Sequence, residues 1–270
     1  MRRLIQQCWN SFQAIKHYPF VVPNSIPILW FGDMKLFMKS DLRIVTVGLN
    51  PSNIEFLSSR NSNNYSVSYR FPKVINLVGK NKLSLNDILV YENTMNEYFT
   101  NQLNGKPTWY RTWFSNNESA LHGLDASYYN SGDFRRTAIH IDLWTPVATD
   151  KWKHLTNNQR NILHNNVGYS FQQMLARIDP HVIITCVNSG FIKKYFSDTN
   201  GLPCVPSNAA FDYQKRDANG RSYAYIRAFR LLNGQVLIWG RNGNTPFARL
   251  NQKMDIIPQI QKIRTLLRIP

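Results

Sequence analysis

The run Leu42-Arg43-Ile44-Val45-Thr46-Val47 ends abruptly in Gly48-Leu49-Asn50-Pro51-Ser52. A short apolar, β-branched run closed by Gly and Pro has the pattern of a strand buried on both faces and followed by a tight turn. In open α/β sheets, ligands bind in the crevice beyond the carboxyl ends of the strands. Asn50 falls at such an end. Pro51 disfavours helical backbone at Asn50, so the asparagine is expected to be extended and its amide held. The competing reading of these five residues is an ordinary structural turn.

Around this strand, helical and strand patterns alternate. Residues 1–18 place Leu4, Ile5, Cys8, Trp9, Phe12 and Ile15 on one helical face. Pro19, Pro23 and Pro27 then interrupt the chain before a short edge strand at Ile28–Asp33. Residues 52–72 form a long polar loop. Ser84 with Asp87 opens a helix running to about Thr100. Trp109–Phe114 is a dense aromatic cluster, and 116–134 reads as loop or short helix. A second buried strand spans Thr137–Leu143 and turns at Trp144-Thr145-Pro146. Thr156 with Gln159 is a capping box for a helix to about Ile178. His181–Val187 is a third strand, and a short basic helix follows around Lys193 and Lys194. Residues 199–222 read as an exposed loop. Tyr223–Leu231 and Gln235–Gly240 form a hairpin across Asn233-Gly234. Thr245 and Pro246 are expected to start a C-terminal helix that Pro258 kinks.

The alternation predicts an α/β fold, a mostly parallel central sheet sandwiched between helices. No repeat and no linker divides the chain, so one domain over 1–270 is expected, with 1–40 as an N-terminal helix and edge extension.

Charge narrows the partner. The 270 residues carry 32 Lys and Arg against 16 Asp and Glu, a net charge of +16 spread along the whole chain. That balance favours a polyanion, nucleic acid foremost, over a membrane surface or simple solubility. Many of the 13 Tyr, 15 Phe and 7 Trp stand close to Arg, Lys or Asn, an interleaving that suits base stacking beside phosphate contacts. Cys8, Cys186 and Cys204 match no metal spacing and suggest a reducing, cytoplasmic setting. No metal or cofactor is expected. Arg2 and Arg3 precede no apolar signal segment, and no run is long enough for a membrane span.

Four strand ends carry polar turns: Gly48–Ser52, Asp142–Pro146, Asn188–Gly190 and Arg241–Thr245. If the strands are parallel, Asn50, Asp142, Asn188, Arg241, Asn242 and Asn244 line one crevice. Backbone amides at Thr245–Ala248 would add a helix N-terminus suited to a phosphate.

In order and approximate spacing, these motifs resemble the uracil-DNA glycosylase superfamily. Gly48-Leu49-Asn50-Pro51-Ser52 is similar to the first motif of its Gly-x-Asn-Pro branches. Ile141–Pro146 is similar to the base-contacting strand and turn, and Gly240–Phe247 falls where the minor-groove motif lies. The resemblance spans residues 42–250. It implies a three-layer α/β/α fold and a metal-independent enzyme that flips a base from double-stranded DNA and hydrolyses its N-glycosidic bond. Asn50 would then position the attacking water. Phe71, with Phe56 and Tyr69 behind it, would stack on the flipped base, with Asn188 also in the base pocket. Ser52, Arg241, Asn242, Asn244 and Thr245 would contact DNA, and Arg241, Asn242 and Phe247 are candidates for the wedge.

The departures are informative. The family's His-Pro-Ser motif is replaced by Asn242-Gly243-Asn244, which argues against the usual route to uracil excision. His140, two residues before Asp142 on the same strand face, is a candidate to assist, or a satisfied polar residue at the sheet end. Asp142 stands where family strands often use Asn. An ionised Asp only accepts hydrogen bonds and prefers the exocyclic amine of a cytosine-type base, although it could equally cap a turn. The favoured expectation is a monomeric glycosylase for a modified cytosine. Antiphage members of the superfamily that remove glucosylated hydroxymethylcytosine from phage DNA are the specific precedent. The alternatives are uracil excision in repair, a catalytically silent DNA-binding module of the same fold, and a nucleotide- or sugar-phosphate-processing enzyme. No Gly-rich phosphate loop supports the last.

Overall fold

The structure, a computed structural model, describes every residue except Arg60, Asn61, Asn130, Ser131, 197–207, Asn242 and Asn244. The fold is mixed α/β. Its six-stranded sheet contains β1 (Ile44–Gly48), β2 (Ile139–Asp142), β3 (Val182–Thr185), β4 (Phe211–Arg216), β5 (Ser222–Arg230) and β6 (Val236–Gly240), in the order β2-β1-β3-β6-β5-β4. β1 and β6 both run parallel to β3, with Thr46 and Ile238 each opposite Ile184. β5 and β4 add antiparallel strands at one edge. Every residue of β1, β2, β3 and β6 is buried; for β1, β3 and β6 this is the two-sided burial expected of central strands in such a sheet.

The chain divides into two compact units, each assembled from three separate stretches. The first comprises Met1–Lys35, Gly48–Tyr110 and His140–Asp179. Its α1 (Arg2–Ile15) buries Leu4, Ile5, Cys8, Trp9, Phe12 and Ile15, the face the sequence predicts. α3 (Leu85–Asn96) has the full reciprocal capping box: Ser84 Oγ accepts from Asp87 N, and the Asp87 carboxylate accepts from Ser84 N. The long helix expected over 156–178 is two helices, α5 (Asn157–Val167) and α6 (Tyr169–Ile178). They part at Gly168, where the His164 ring lies so close that an added methyl would sit 2.2 Å from its Nδ1. The edge strand expected at Ile28–Asp33 is reduced to one two-way backbone pairing, Phe31 with His140. Gly32, at φ +107°, then turns the chain away.

The second unit comprises Leu36–Val47, Arg111–Ile139 and Pro180–Pro270. α2 (Met34–Lys39) runs into it, and α4 (Arg111–His122) takes in 111–122, including the first part of the stretch from 116 read as loop or short helix. α7 (Ser189–Tyr195) is the short basic helix. The hairpin β5–β6 forms as predicted, but part of the supposed 199–222 loop is the edge strand β4. Its charged, half-exposed residues mask the strand pattern, as is common at sheet edges. The predicted helix at Thr245 does not form. Phe247 (φ +51°) and Arg249 (φ +68°) are left-handed, and the chain makes a turn instead. The Phe247 ring is fully buried and its amide donates to Cys186 Sγ, so tertiary packing overrides the Thr-Pro start signal. After a π-helical turn at Gln252–Ile256, α8 (Ile257–Leu266) begins with Pro258 in its first turn, where proline is tolerated. Pro258 therefore starts this helix rather than kinking it.

Candidate active site

The site in the first unit is built on the turn that leaves β1. Gly48 has no room for a side chain: a methyl there would come within 2.5 Å of Asp142 Oδ1 and 2.9 Å of His140 Nε2. The glycine is thus required by the close approach of two side chains from β2. The following turn is tied to the end of β2, since Leu143 N donates to the Gly48 carbonyl (3.1 Å) and Trp144 N to that of Leu49 (3.0 Å).

Asn50 is half-buried and its amide is oriented by logic as well as by distance. Its Nδ2 donates to the Pro51 carbonyl (2.9 Å) and to Thr149 Oγ1 (3.0 Å). Thr149 spends its only hydrogen on the Asp150 carbonyl (2.8 Å), so its oxygen must accept from Asn50. Both amide hydrogens are committed to acceptors. Oδ1 is left as the hydrogen-bonding atom of that side chain without a protein partner among the described residues. An oxygen so placed can accept from a water O–H and fix where the lone pairs of that water point. Ser52 is half-buried and caps the 3-10 turn Asn53–Phe56, accepting from Ile54 N (3.2 Å). That cap accounts for the serine where a DNA contact was expected.

His140 and Asp142 lie behind this turn. His140 Nε2 stands 3.6 Å from Asp142 Oδ1, and the two side chains are 2% and 3% exposed. The His140 ring packs against Phe31. Burial raises the Asp142 carboxyl above its ordinary range, and the nearby imidazole opposes that shift. The same-face placement read from their spacing is the one observed, with both side chains against Gly48.

A third group was missed by sequence reasoning. Glu55, three residues beyond Ser52, is buried, and its Oε2 accepts from Arg70 Nη1 (3.1 Å) and from the Tyr98 hydroxyl (2.6 Å). The Tyr98 oxygen in turn accepts from Tyr110 N (3.1 Å). The Arg70 guanidinium lies 5.9 Å and 5.7 Å from the Tyr69 and Tyr110 ring centres, and its buried Nε has no partner among the described residues. Burial pushes the Glu55 carboxyl up; Arg70 pulls it down, and the charge of Asp142 adds to the upward push. Only a charged residue between Ile54 and Phe56, and another between Tyr69 and Phe71, hinted at this cluster.

The expected stacking residues need correction. Phe71 and Phe56 are both 0% exposed. They pack on each other at 5.4 Å, and Phe71 stacks on Tyr98 at 5.6 Å, so both rings are core and offer no open face to a base. Tyr69 is half-buried beside Arg70.

The other predicted residues belong to the second unit. Asn188 is exposed and caps α7, its Oδ1 accepting from Gly190 N and Phe191 N. Arg241 is half-buried and donates from Nη1 to the Tyr223 carbonyl. Thr245 accepts from Asn116 Nδ2 (3.4 Å) in the turn where a helix N-terminus was expected, so no phosphate-binding helix start exists there. Phe247, a wedge candidate, is fully buried. Asn242 and Asn244 lie outside the described residues.

Among the described residues, no three His, Cys, Asp or Glu side chains stand close enough to share a metal ion, and no helix is long and apolar enough to cross a membrane. No protein-family model and no curated protein matches this chain.

Proposed function

We propose that this chain is a monofunctional DNA N-glycosylase of the uracil-DNA glycosylase-like three-layer type, acting on a modified cytosine. The observation that supports the reading most directly is the clamped amide of Asn50. With both N–H groups committed to Thr149 and the Pro51 carbonyl, its Oδ1 is the atom available to hold a water. Orientation suffices for this chemistry. As the bond from C1′ to the base breaks, its electron pair leaves with the base and the sugar becomes oxocarbenium-like. A placed water then adds to C1′ and loses its proton to the surroundings. Asp142 supports a cytosine-type base, since a carboxyl oxygen accepts from an exocyclic amine. At 3% side-chain exposure it meets such a base only when the turn around Gly48 opens, so the reading includes an opening on base entry. The net charge of +16 suits a duplex partner, and phage DNA carrying glucosylated hydroxymethylcytosine is the favoured substrate.

The burial of Phe71 and Asp142 favours a second reading, a DNA-binding module of the same fold without catalysis. Duplexes carrying uracil, hydroxymethylcytosine or its glucosylated form, assayed for alkali-labile abasic sites, separate the two. The glycosylase reading expects sites at a cytosine derivative that disappear in Asn50→Ala. Release of uracil alone would overturn the role given to Asp142. Duplex binding without abasic sites on any substrate would leave the module.

A further inference from the structure

The antiparallel edge of the sheet carries a second feature, independent of the Asn50 turn and contained within the second unit. Along β5, Ala224, Ile226 and Ala228 are buried, whereas Tyr225 and Arg227 are half-exposed on the opposite face. Register places Asp212 beside Arg227 and Gln214 beside Tyr225 on that same face of β4. On the other side of β5, Trp239 of β6 is opposite Arg227. The alternate residues of β4 are used elsewhere: Tyr213 and Lys215 bond the Asp255 carboxylate beneath the sheet.

The exposed row is organised for stacking. The Arg227 guanidinium carbon lies 4.9 Å from the Tyr225 ring centre and 5.9 Å from that of Trp239. Asp212 holds the guanidinium by its Nε at 3.2 Å, which leaves the plane fixed while the side chain remains 33% exposed. Tyr225 meets Trp239 edge-on at 5.2 Å. Trp239 is itself pinned by its indole N–H to the Val187 carbonyl (2.8 Å). Arg216, bonded to Gln214 of this face, and Arg241, beside β5, have no carboxylate partner among the described residues. Arg216 donates to Gln214 Oε1 and the Gly220 carbonyl, and Arg241 to the Tyr223 carbonyl.

We infer that this face binds an unpaired nucleic-acid strand, with a base stacking on the Tyr225–Arg227 pair while Arg216 and Arg241 take the phosphates. The occupant follows from the chemistry. Planar rings and a held guanidinium accept any base face, and surplus positive charge accepts the backbone. In a duplex the base faces are stacked on one another and cannot reach such a row. The inference does not rest on the glycosylase reading and stands whether or not the chain cleaves DNA.

Fluorescence anisotropy of the full chain tests it, with a labelled mixed-sequence single-stranded 15-mer in DNA and RNA form and a hairpin duplex as competitor. The chain is expected to bind the single strands more tightly than the duplex. Tyr225→Leu should weaken single-strand binding by about 5- to 150-fold and leave duplex binding unchanged. Arg227→Lys keeps the charge but loses the plane, so it should weaken binding with the salt slope intact. Arg216→Gln should lower the single-strand salt slope by about 0.7. Variants with unchanged melting temperature that bind single strands like the parent, or that lose single strand and duplex equally, would overturn the inference.

Discussion

Thr149 shows how much one buried hydroxyl decides. Its hydrogen goes to Asp150 and its lone pair to Asn50, so Thr149→Val releases one of the two restraints on the Asn50 amide. If the glycosylase reading holds, single-turnover cleavage by this variant should fall by about a hundredfold with substrate affinity unchanged. Equal losses in both would point to a binding defect instead. Arg70 offers a stability test. It neutralises Glu55 where neither side chain is more than 7% exposed. Arg70→Met should cost about 3–5 kcal/mol in urea unfolding, because a buried carboxylate is left unpaired. Adding Glu55→Gln should restore part of that loss. Asp142 sets a pH dependence of known sign. Its folded carboxyl is raised above the ordinary 3.8 by burial. The folded state therefore holds that proton more tightly, and Asp142 favours folding most below 3.8 and less as pH rises through its folded value. Asp142→Asn should remove this decline, so urea midpoints of parent and variant should diverge in favour of the variant as pH increases from 3.

Among the elements, α3 was the most legible. The Ser84–Asp87 signal gave its start, and the structure has both halves of the box. Lys80 also reaches Asp87 at 2.7 Å. Ser84→Ala should lower stability by about 1 kcal/mol, measured by thermal unfolding. A change below a few tenths would mean that Lys80 and Asp87 hold the helix start without the hydroxyl. β1, β3 and the β5–β6 hairpin were readable for a similar reason: their signals lie within a few residues. β4 was not, because an edge strand of charged residues has no apolar alternation to show. The Thr245 region misled because its cap signal is local, whereas the burial of Phe247 against Gly240 and Cys186 is not.

For the whole molecule, a net charge of +16 predicts that duplex binding weakens steeply with salt, with a log–log slope of about −0.9 for each phosphate neutralised. A titration between 50 and 200 mM salt checks this, and a flat profile would assign the charge to solubility alone. Each of the two compact units is woven from three stretches, so no linker composition marks a boundary between them in the sequence. The α/β class and the strand that ends at Gly48 were determined by the sequence alone. Burial periodicity and proline stereochemistry act over a handful of neighbours. Tertiary structure decided that Thr149 turns the Asn50 amide, that Glu55 meets Arg70 and Tyr98, and that Phe71 is core. Those partners lie between 15 and 99 residues apart along the chain, or are set by packing from several stretches at once, and no local pattern encodes such a meeting.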